Sequence, residues 1–157
     1  MTIEVVKGDL LDAFDRGDVN VIGHCCNAQG KMNSGIAKSI RERYEIAYNR
    51  YKSFYDTYGS KILGHSIGVG IGLESDNKVI CNLVAQEFYG YDGKRYLNYG
   101  ALASSLTGMK LDRKTTDVIG FPYLMGCDRA GGDFSIVYEM VEFYFKDRNV
   151  KFYRLDN

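Results

Sequence analysis

No tryptophan occurs in the 157 residues, and proline occurs once, at Pro122. With so little proline and no serine-rich, repeated or low-complexity tract, the chain offers no linker at which a second domain would begin. One domain over residues 1–157 is expected, long enough to bury a core without disulfide or metal staples. Net charge is also missing, because twenty Lys plus Arg balance twenty Asp plus Glu. A neutral molecule has no overall field to draw it onto duplex nucleic acid or an anionic membrane, so bulk nucleic-acid binding is not expected and an anionic ligand needs a local site. No apolar run approaches the ~18 residues of a membrane span. Residues Met1 to Val6 alternate like a strand and lack the charged-then-apolar layout of a leader. The chain is therefore expected to be soluble, cytoplasmic and monomeric.

Histidine is scarce, at two residues, and the four cysteines, Cys25, Cys26, Cys81 and Cys127, have no CxxC spacing. Three of them lie in or beside apolar runs, the pattern of buried reduced thiols rather than of disulfides or metal ligands. Neither a metal nor an organic cofactor is expected.

What is present is an alternation of strands and helices. Residues 3–7, Val19 to His24, Val79 to Ala85, Val118 to Leu124 and Val150 to Leu155 read as strands, and the glycine-rich alternation from Ile62 to Leu73 adds another. Between them, Ile36, Ala37, Ile40 and Tyr44 share a helical face, as do Leu102, Ser105, Leu106 and Met109, and again Phe134, Val137, Met140, Val141 and Tyr144. Most tyrosines from Tyr44 to Tyr58 recur at near-helical intervals, which packing explains before base stacking does. The pattern predicts an α/β fold with a largely buried central sheet.

Glycine concentrates where predicted strands end and helices begin, the junctions at which α/β folds place ligands. At the first, an apolar strand through His24 runs into Cys25 to Asn33, and Ser34-Gly35 opens a helix whose first-turn N–H groups favour phosphate. Taken alone, Ser34 is also what an ordinary helix N-cap looks like. At the second, Leu124 to Gly132 links a strand to a helix, and Gly126, Gly131 and Gly132 can expose N–H groups as an anion nest, with Asp133 capping the helix. The Walker Gly-Lys-Ser/Thr is absent, and Gly68-Val69-Gly70-Ile71-Gly72 lacks both the final spacing of GxGxxG and a following helix.

Four segments, Val6-Lys7-Gly8-Asp9-Leu10, His24 to Ala37, Ile80 to Gln86 with Asn98-Tyr99, and Gly126 to Phe134, follow in an order that covers nearly the whole chain. Together they resemble the macrodomain family, and within it the yeast and phage branch of ADP-ribose 1″-phosphate phosphatases, related to the terminal ADP-ribose glycohydrolases. The resemblance implies a three-layer α/β/α sandwich around a mixed, mostly parallel sheet, with ADP-ribose or ADP-ribose 1″-phosphate as ligand. By position, Asp9 accepts a hydrogen bond from the adenine amino group and Leu10 fixes the ring, although Asp9 also reads as a turn or N-cap residue. Gln29, Gly30 and Met32 border the ligand beside Asn27, which faces the distal ribose and counts with His24 and Asp133 as a catalytic residue. Ser34, Gly35, Ile36 and Ala37 on one side, and Leu124, Gly126, Cys127, Asp128, Arg129, Ala130, Gly131 and Gly132 on the other, wrap the diphosphate. Tyr153 either flanks the adenine or packs in a core strand.

For chemistry, the resemblance puts His24 beside the distal ribose, where an imidazole can exchange a proton near neutral pH. The alternative is a core histidine. Asp133 is the matching carboxylate and an equally good helix cap, and Asp128 is the other choice. His65 matches no motif. Asn33 replaces a glycine of the pattern, Asp128-Arg129 replace Gly-Leu, and Phe134 replaces Trp. Tyr89-Gly90 fall where the glycohydrolase branch has its lysine, which disfavours a lysyl covalent route. The implied activity is metal-independent release of phosphate from the distal ribose. Alternatives are a non-catalytic ADP-ribose reader and an ADP-ribosyl hydrolase acting on protein or nucleic acid.

Overall fold

The structure is a computed structural model describing residues 2–74, 77–90, 92–128 and 130–155. Among them β1 (Ile3–Lys7), β2 (Val21–Asn27), β3 (Ser66–Gly70), β4 (Val79–Gln86), β5 (Val118–Pro122) and β6 (Asn149–Arg154) form one sheet in the order β1-β6-β5-β2-β4-β3. Every neighbouring pair is parallel except β3, which runs antiparallel to β4 along one edge. Every residue of β4 is buried. Its near-continuous apolar sequence suits a strand covered on both faces.

Side chains alternate across each strand, so the sheet feeds two separate cores. On one face, α4 (Tyr99–Leu111) and α5 (Phe134–Tyr144) bring Leu102, Leu106, Val137 and Val141 against Val21, Leu83, Phe121 and Phe152. Burying an aromatic or aliphatic side chain of this size stabilises by about 1.5–3 kcal/mol. On the other face, α1 (Leu10–Arg16), α2 (Gly35–Arg43) and α3 (Glu45–Tyr58) bring Leu10, Phe14, Ile40 and Ala47 against Ile22, Ile80 and Tyr153. Tyr51 of α3 packs with Cys26 and Val84 nearby. The result is the expected three-layer sandwich with a mixed, mostly parallel sheet.

Several boundaries move, and the strand expected from Ile62 to Leu73 narrows to Ser66–Gly70 between two short 3₁₀ turns. Strand β2 starts at Val21 and continues to Asn27, because Cys25 and Cys26 pair with Leu83 and Val84 of β4. Strand β5 stops at Pro122, and a turn carries Tyr123 to Cys127 over the sheet edge. Helix α1 is an addition: its seven residues are too few for a helical period to show in sequence, and they are held by an Asp9 cap and ended by Gly17 at φ 85°. Among the described residues no helix is long and apolar enough to cross a membrane.

Candidate functional site

Parallel strands deliver their carboxyl ends to one rim of the sheet, and there a cleft of about 750 Å³ opens. Its walls are Gly8 to Leu11 after β1, Cys25 to Asn27 at the end of β2, Lys31 and Asn33 to Ala37 leading into α2, and Gln86, Tyr89 and Gly90 after β4. Pro122 to Gly126, Asp128 and Ala130 follow β5, and Tyr153 to Leu155 close the end of β6. The volume is that of a site for an organic ligand of cofactor size.

Helix α2 enters the cleft with its amino end unused. Side chains cap α1, α4 and α5, where Asp9, Asn98 and Asp133 accept from Asp12, Ala101 and Ser135 N–H groups. Ser34, in the same position on α2, makes no such bond. Its hydroxyl and the first-turn N–H groups of Gly35, Ile36 and Ala37 therefore present donors and a positive dipole end to the cleft.

Opposite lies the loop after β5. Leu124 has φ 63°, the left-handed region that a branched side chain avoids, and strain of this kind costs on the order of 1 kcal/mol or more. The strain sets Leu124 and Gly126 at the cleft wall. Gly131 and Gly132 do a different job from the one expected. Their N–H groups are spent on Asp128 and Gly126 carbonyls, and neither residue borders the cleft. A Cβ on Gly131 would stand 2.7 Å from the Lys94 carbonyl oxygen, and one on Gly132 would stand 2.7 Å from that of Gly126. These two glycines fold the loop back on itself rather than donate to a ligand.

Asn27 anchors the first loop. Its Oδ1 accepts from the N–H groups of Gln29 and Lys31 and from the Tyr51 hydroxyl, while its Nδ2 donates to the Lys31 carbonyl. Burial pushes the Tyr51 phenol well above its ordinary range, keeping it a donor. With both ends of its amide engaged, Asn27 shapes the cleft floor. Gln29, Gly30 and Met32 lie behind that loop: Gln29 donates to the Glu87 carbonyl, Gly30 packs against Tyr55, and Met32 is buried.

Of the three expected catalytic residues, Asn27 borders the cleft, whereas His24 and Asp133 lie outside it. His24 is 0% exposed, on the α3 side of β2, with Nε2 2.7 Å from Asn82 Oδ1. Burial pushes its pKa down to about 4, only partly offset by the Asn82 bond. It does not border the cleft, which corrects the expectation of a titrating group beside the ligand. Asp133 is likewise outside: its Oδ1 accepts from the Ser135 N–H and hydroxyl, which hold the carboxyl below the usual carboxylate range, so capping is the role on view. Asp128 is an exposed carboxylate on the wall, and Asp9 borders the cleft while also capping α1.

No family model matches the chain. It is 39% identical over 57 residues to an ADP-ribose 1″-phosphate phosphatase of Aspergillus oryzae, a match covering 36% of this chain and 27% of that protein. The chain thus aligns with about a quarter of that relative. Among solved structures, the macrodomain of Mycobacterium tuberculosis DarG superposes with a TM-score of 0.77 at 22% identity, covering 97% of each chain. The chain has the macrodomain fold. Thermosipho africanus DarTG in complex with ADP-ribose superposes with a TM-score of 0.73 at 14% identity, over 96% of this chain and 41% of that one.

Within this macrodomain fold, Asp9, Leu10, Asn27, Ser34, Gly35, Ile36, Ala37, Leu124, Gly126, Asp128, Ala130 and Tyr153 all border one cleft. Cys127 turns away from it, with its thiol donating to the Met125 carbonyl. Arg129 lies outside the described residues. Sequence reasoning did not select Cys25, Lys31, Gln86, Tyr123 or Arg154, which also line the walls. The continuation of β2 past His24 to Asn27 places Cys25 on the strand end that borders the cleft. Burial and the neighbouring Cys127 push the Cys25 thiol up to about 12, so it stays protonated and is a poor metal ligand.

Proposed function

We propose that the cleft holds ADP-ribose or a derivative of it and hydrolyses a bond at the distal ribose, with ADP-ribose 1″-phosphate as the preferred substrate. The observation that carries the reading is the uncapped head of α2 at Ser34, facing the Leu124–Gly126 turn across the same cleft. A diphosphate between them meets helix N–H donors on one side and loop backbone on the other. Asp9 and Tyr153, at the far end beside α1, receive the adenine. Support for the ligand comes from the phosphatase relative and from the ADP-ribose complex of a structural neighbour.

In this reading Asp128 takes the place first given to Asp133. Its carboxylate accepts a proton from water as the oxygen attacks phosphorus. The phosphorus–oxygen bond to the ribose then breaks, the ribose oxygen takes a proton from solvent water and Asp128 returns its own to solvent, leaving ADP-ribose and inorganic phosphate. Asn27 is a positioning residue that keeps Lys31 and the loop in place. The reaction needs no metal, so EDTA leaves it unchanged. A reader without turnover is the second reading, favoured by the burial of His24, which leaves no imidazole at the wall.

The test is to incubate the protein with ADP-ribose 1″-phosphate, with ADP-ribosylated protein and with ADP-ribosylated nucleic acid, measuring phosphate and ADP-ribose release. Phosphate from the first substrate supports the proposal. ADP-ribose from either of the others moves the activity to ADP-ribosyl hydrolysis, and silence on all three with ADP-ribose still bound establishes the reader.

A further inference from the structure

A second cavity of about 500 Å³ lies at the β3 edge of the sheet, and none of its lining residues borders the first cleft. Along α3, Arg50, Phe54 and Tyr58 fall four residues apart; Phe54 and Tyr58 share the helical face of buried Ala47 and Tyr51, yet stay 37% and 56% exposed. The Phe54 and Tyr58 rings are 6.1 Å apart and tilted by 33°, so their exposed faces form a shallow aromatic wall. The Arg50 guanidinium stands 5.9 Å from the centre of the Phe54 ring. Lys61, on the turn Gly59–Ile62, and exposed His65 bound the other side, over a floor of Ser66 to Gly68.

The charge is one-sided. Among the described residues no carboxylate lines the cavity. Among the described residues neither Arg50 nor Lys61 has an ion-pair partner, although Lys52 on the same helix pairs with Asp56 and Lys38 on α2 pairs with Glu42. In a protein of zero net charge, two unbalanced cations beside two partly exposed aromatic rings make a local patch of one charge sign. Ring faces recognise a planar ring, and a guanidinium with an ammonium recognises a phosphate. An acidic peptide would satisfy the cations and leave the rings idle.

We propose that this cavity binds a nucleotide unit, with its base stacked on the Phe54–Tyr58 wall and its phosphate between Arg50 and Lys61. The unit comes either as a free mononucleotide or as one residue of a single strand, which presents the same chemistry.

The experiment is amide NMR on the full chain without ADP-ribose, titrating uridine 5′-monophosphate to about 5 mM, where a Kd near ~1 mM still saturates. A single-stranded oligouridylate of roughly ten nucleotides, within the range spanned by single-strand sites, is titrated in parallel. Saturable shifts at Tyr58, Lys61 and Gly68 are expected from the mononucleotide. The R50E/K61E double variant should weaken them at least about tenfold, and Phe54→Ala should do so by a similar factor through lost stacking. Arg50 and Lys61 are exposed and Phe54 is 37% exposed, and the amide spectrum of each variant away from the cavity should match that of the wild type. Shifts with the oligonucleotide alone identify the strand as the source. No shifts with either ligand overturn the proposal, as do equal shifts from inorganic phosphate or from polyglutamate. It stands or falls separately from the first cleft, because these reporters belong only to the second.

Discussion

His24 and Asn82 occupy paired positions on β2 and β4, and His24 Nε2 donates to Asn82 Oδ1 across 2.7 Å. The direction follows from Asn82 itself, whose Nδ2 donates to the Ala47 and Ile67 carbonyls at 3.3 and 3.2 Å and leaves Oδ1 as the acceptor. Nδ1 is then the unprotonated nitrogen, and the Cys26 sulfur lies 3.8 Å from it and 3.6 Å from Nε2. The pair ties two central strands to α3 and β3, which gives the histidine a structural reason to exist without any ligand.

That burial makes an acid-sensitive fold. A histidine whose folded pKa lies near 4, below its ordinary 6.5, favours the neutral form in the folded state. Its stabilising effect is fully present above about pH 6.5 and drains away as pH falls toward 4, by on the order of 3 kcal/mol. Urea unfolding at pH 7, 5.5 and 4.5 should show this slope in the wild type and a shallower one in His24→Gln. Parallel slopes would remove His24 as the origin.

The two carboxylates are separable by one conservative change each. Asparagine still caps a helix, so Asp133→Asn should keep both stability and turnover. Asp128→Asn should lower turnover by ~10²- to 10⁴-fold, the usual contribution of a positioned proton-transfer group, with little change in ADP-ribose affinity. Turnover assays on the two variants check this. Loss in Asp133→Asn with retention in Asp128→Asn would reverse the assignment.

Gly131→Ala should destabilise the protein by about 2 kcal/mol or more, because a Cβ there meets backbone rather than a yielding side chain and φ is 71°. In a chain of this length, that lowers Tm by at least ~4 °C. Calorimetric melting would show it. An unchanged Tm would mean that the loop has room that the Lys94 contact denies.

Much of this was legible in sequence, and the exceptions share a cause. Phe121, Phe152, Val137 and Val141 sit in the core because alternation and helical period mark them directly. The borders of the cleft follow from glycine junctions and from motif order, which is how Ser34 and Gly126 were found. His24, Asp133, Gly131 and Gly132 belong to the right motifs, yet sequence adjacency to a ligand loop does not say which face of a strand a side chain takes or whether an N–H is already bonded. The register of β2 against β4 sends His24 inward. The return bond from Gly132 to Gly126 spends a donor that composition alone leaves open. Lys31 and Tyr123 went unselected because nothing in their residue types separates them from surface positions.

Ser34→Asp sets stability against binding. An aspartate at the head of α2 supplies the missing cap and complements the helix dipole, stabilising by about 0.5–1 kcal/mol. The same charge repels a diphosphate at that place. Melting temperature should rise while ADP-ribose affinity falls at least about tenfold, a loss of ~1.4 kcal/mol. A stabilised variant that binds as well as wild type would mean that the head of α2 is not where the phosphates lie.

The central claim, a single cleft that reads both ends of ADP-ribose, is tested most directly by isothermal titration of the wild-type protein with ADP-ribose and, separately, with AMP. The account predicts ADP-ribose binding in the micromolar range, about −8 kcal/mol at ~1 μM, and AMP weaker by at least about a hundredfold, because AMP leaves the wall from Asn27 to Asp128 unfilled. Equal, millimolar-range binding of the two ligands would contradict it.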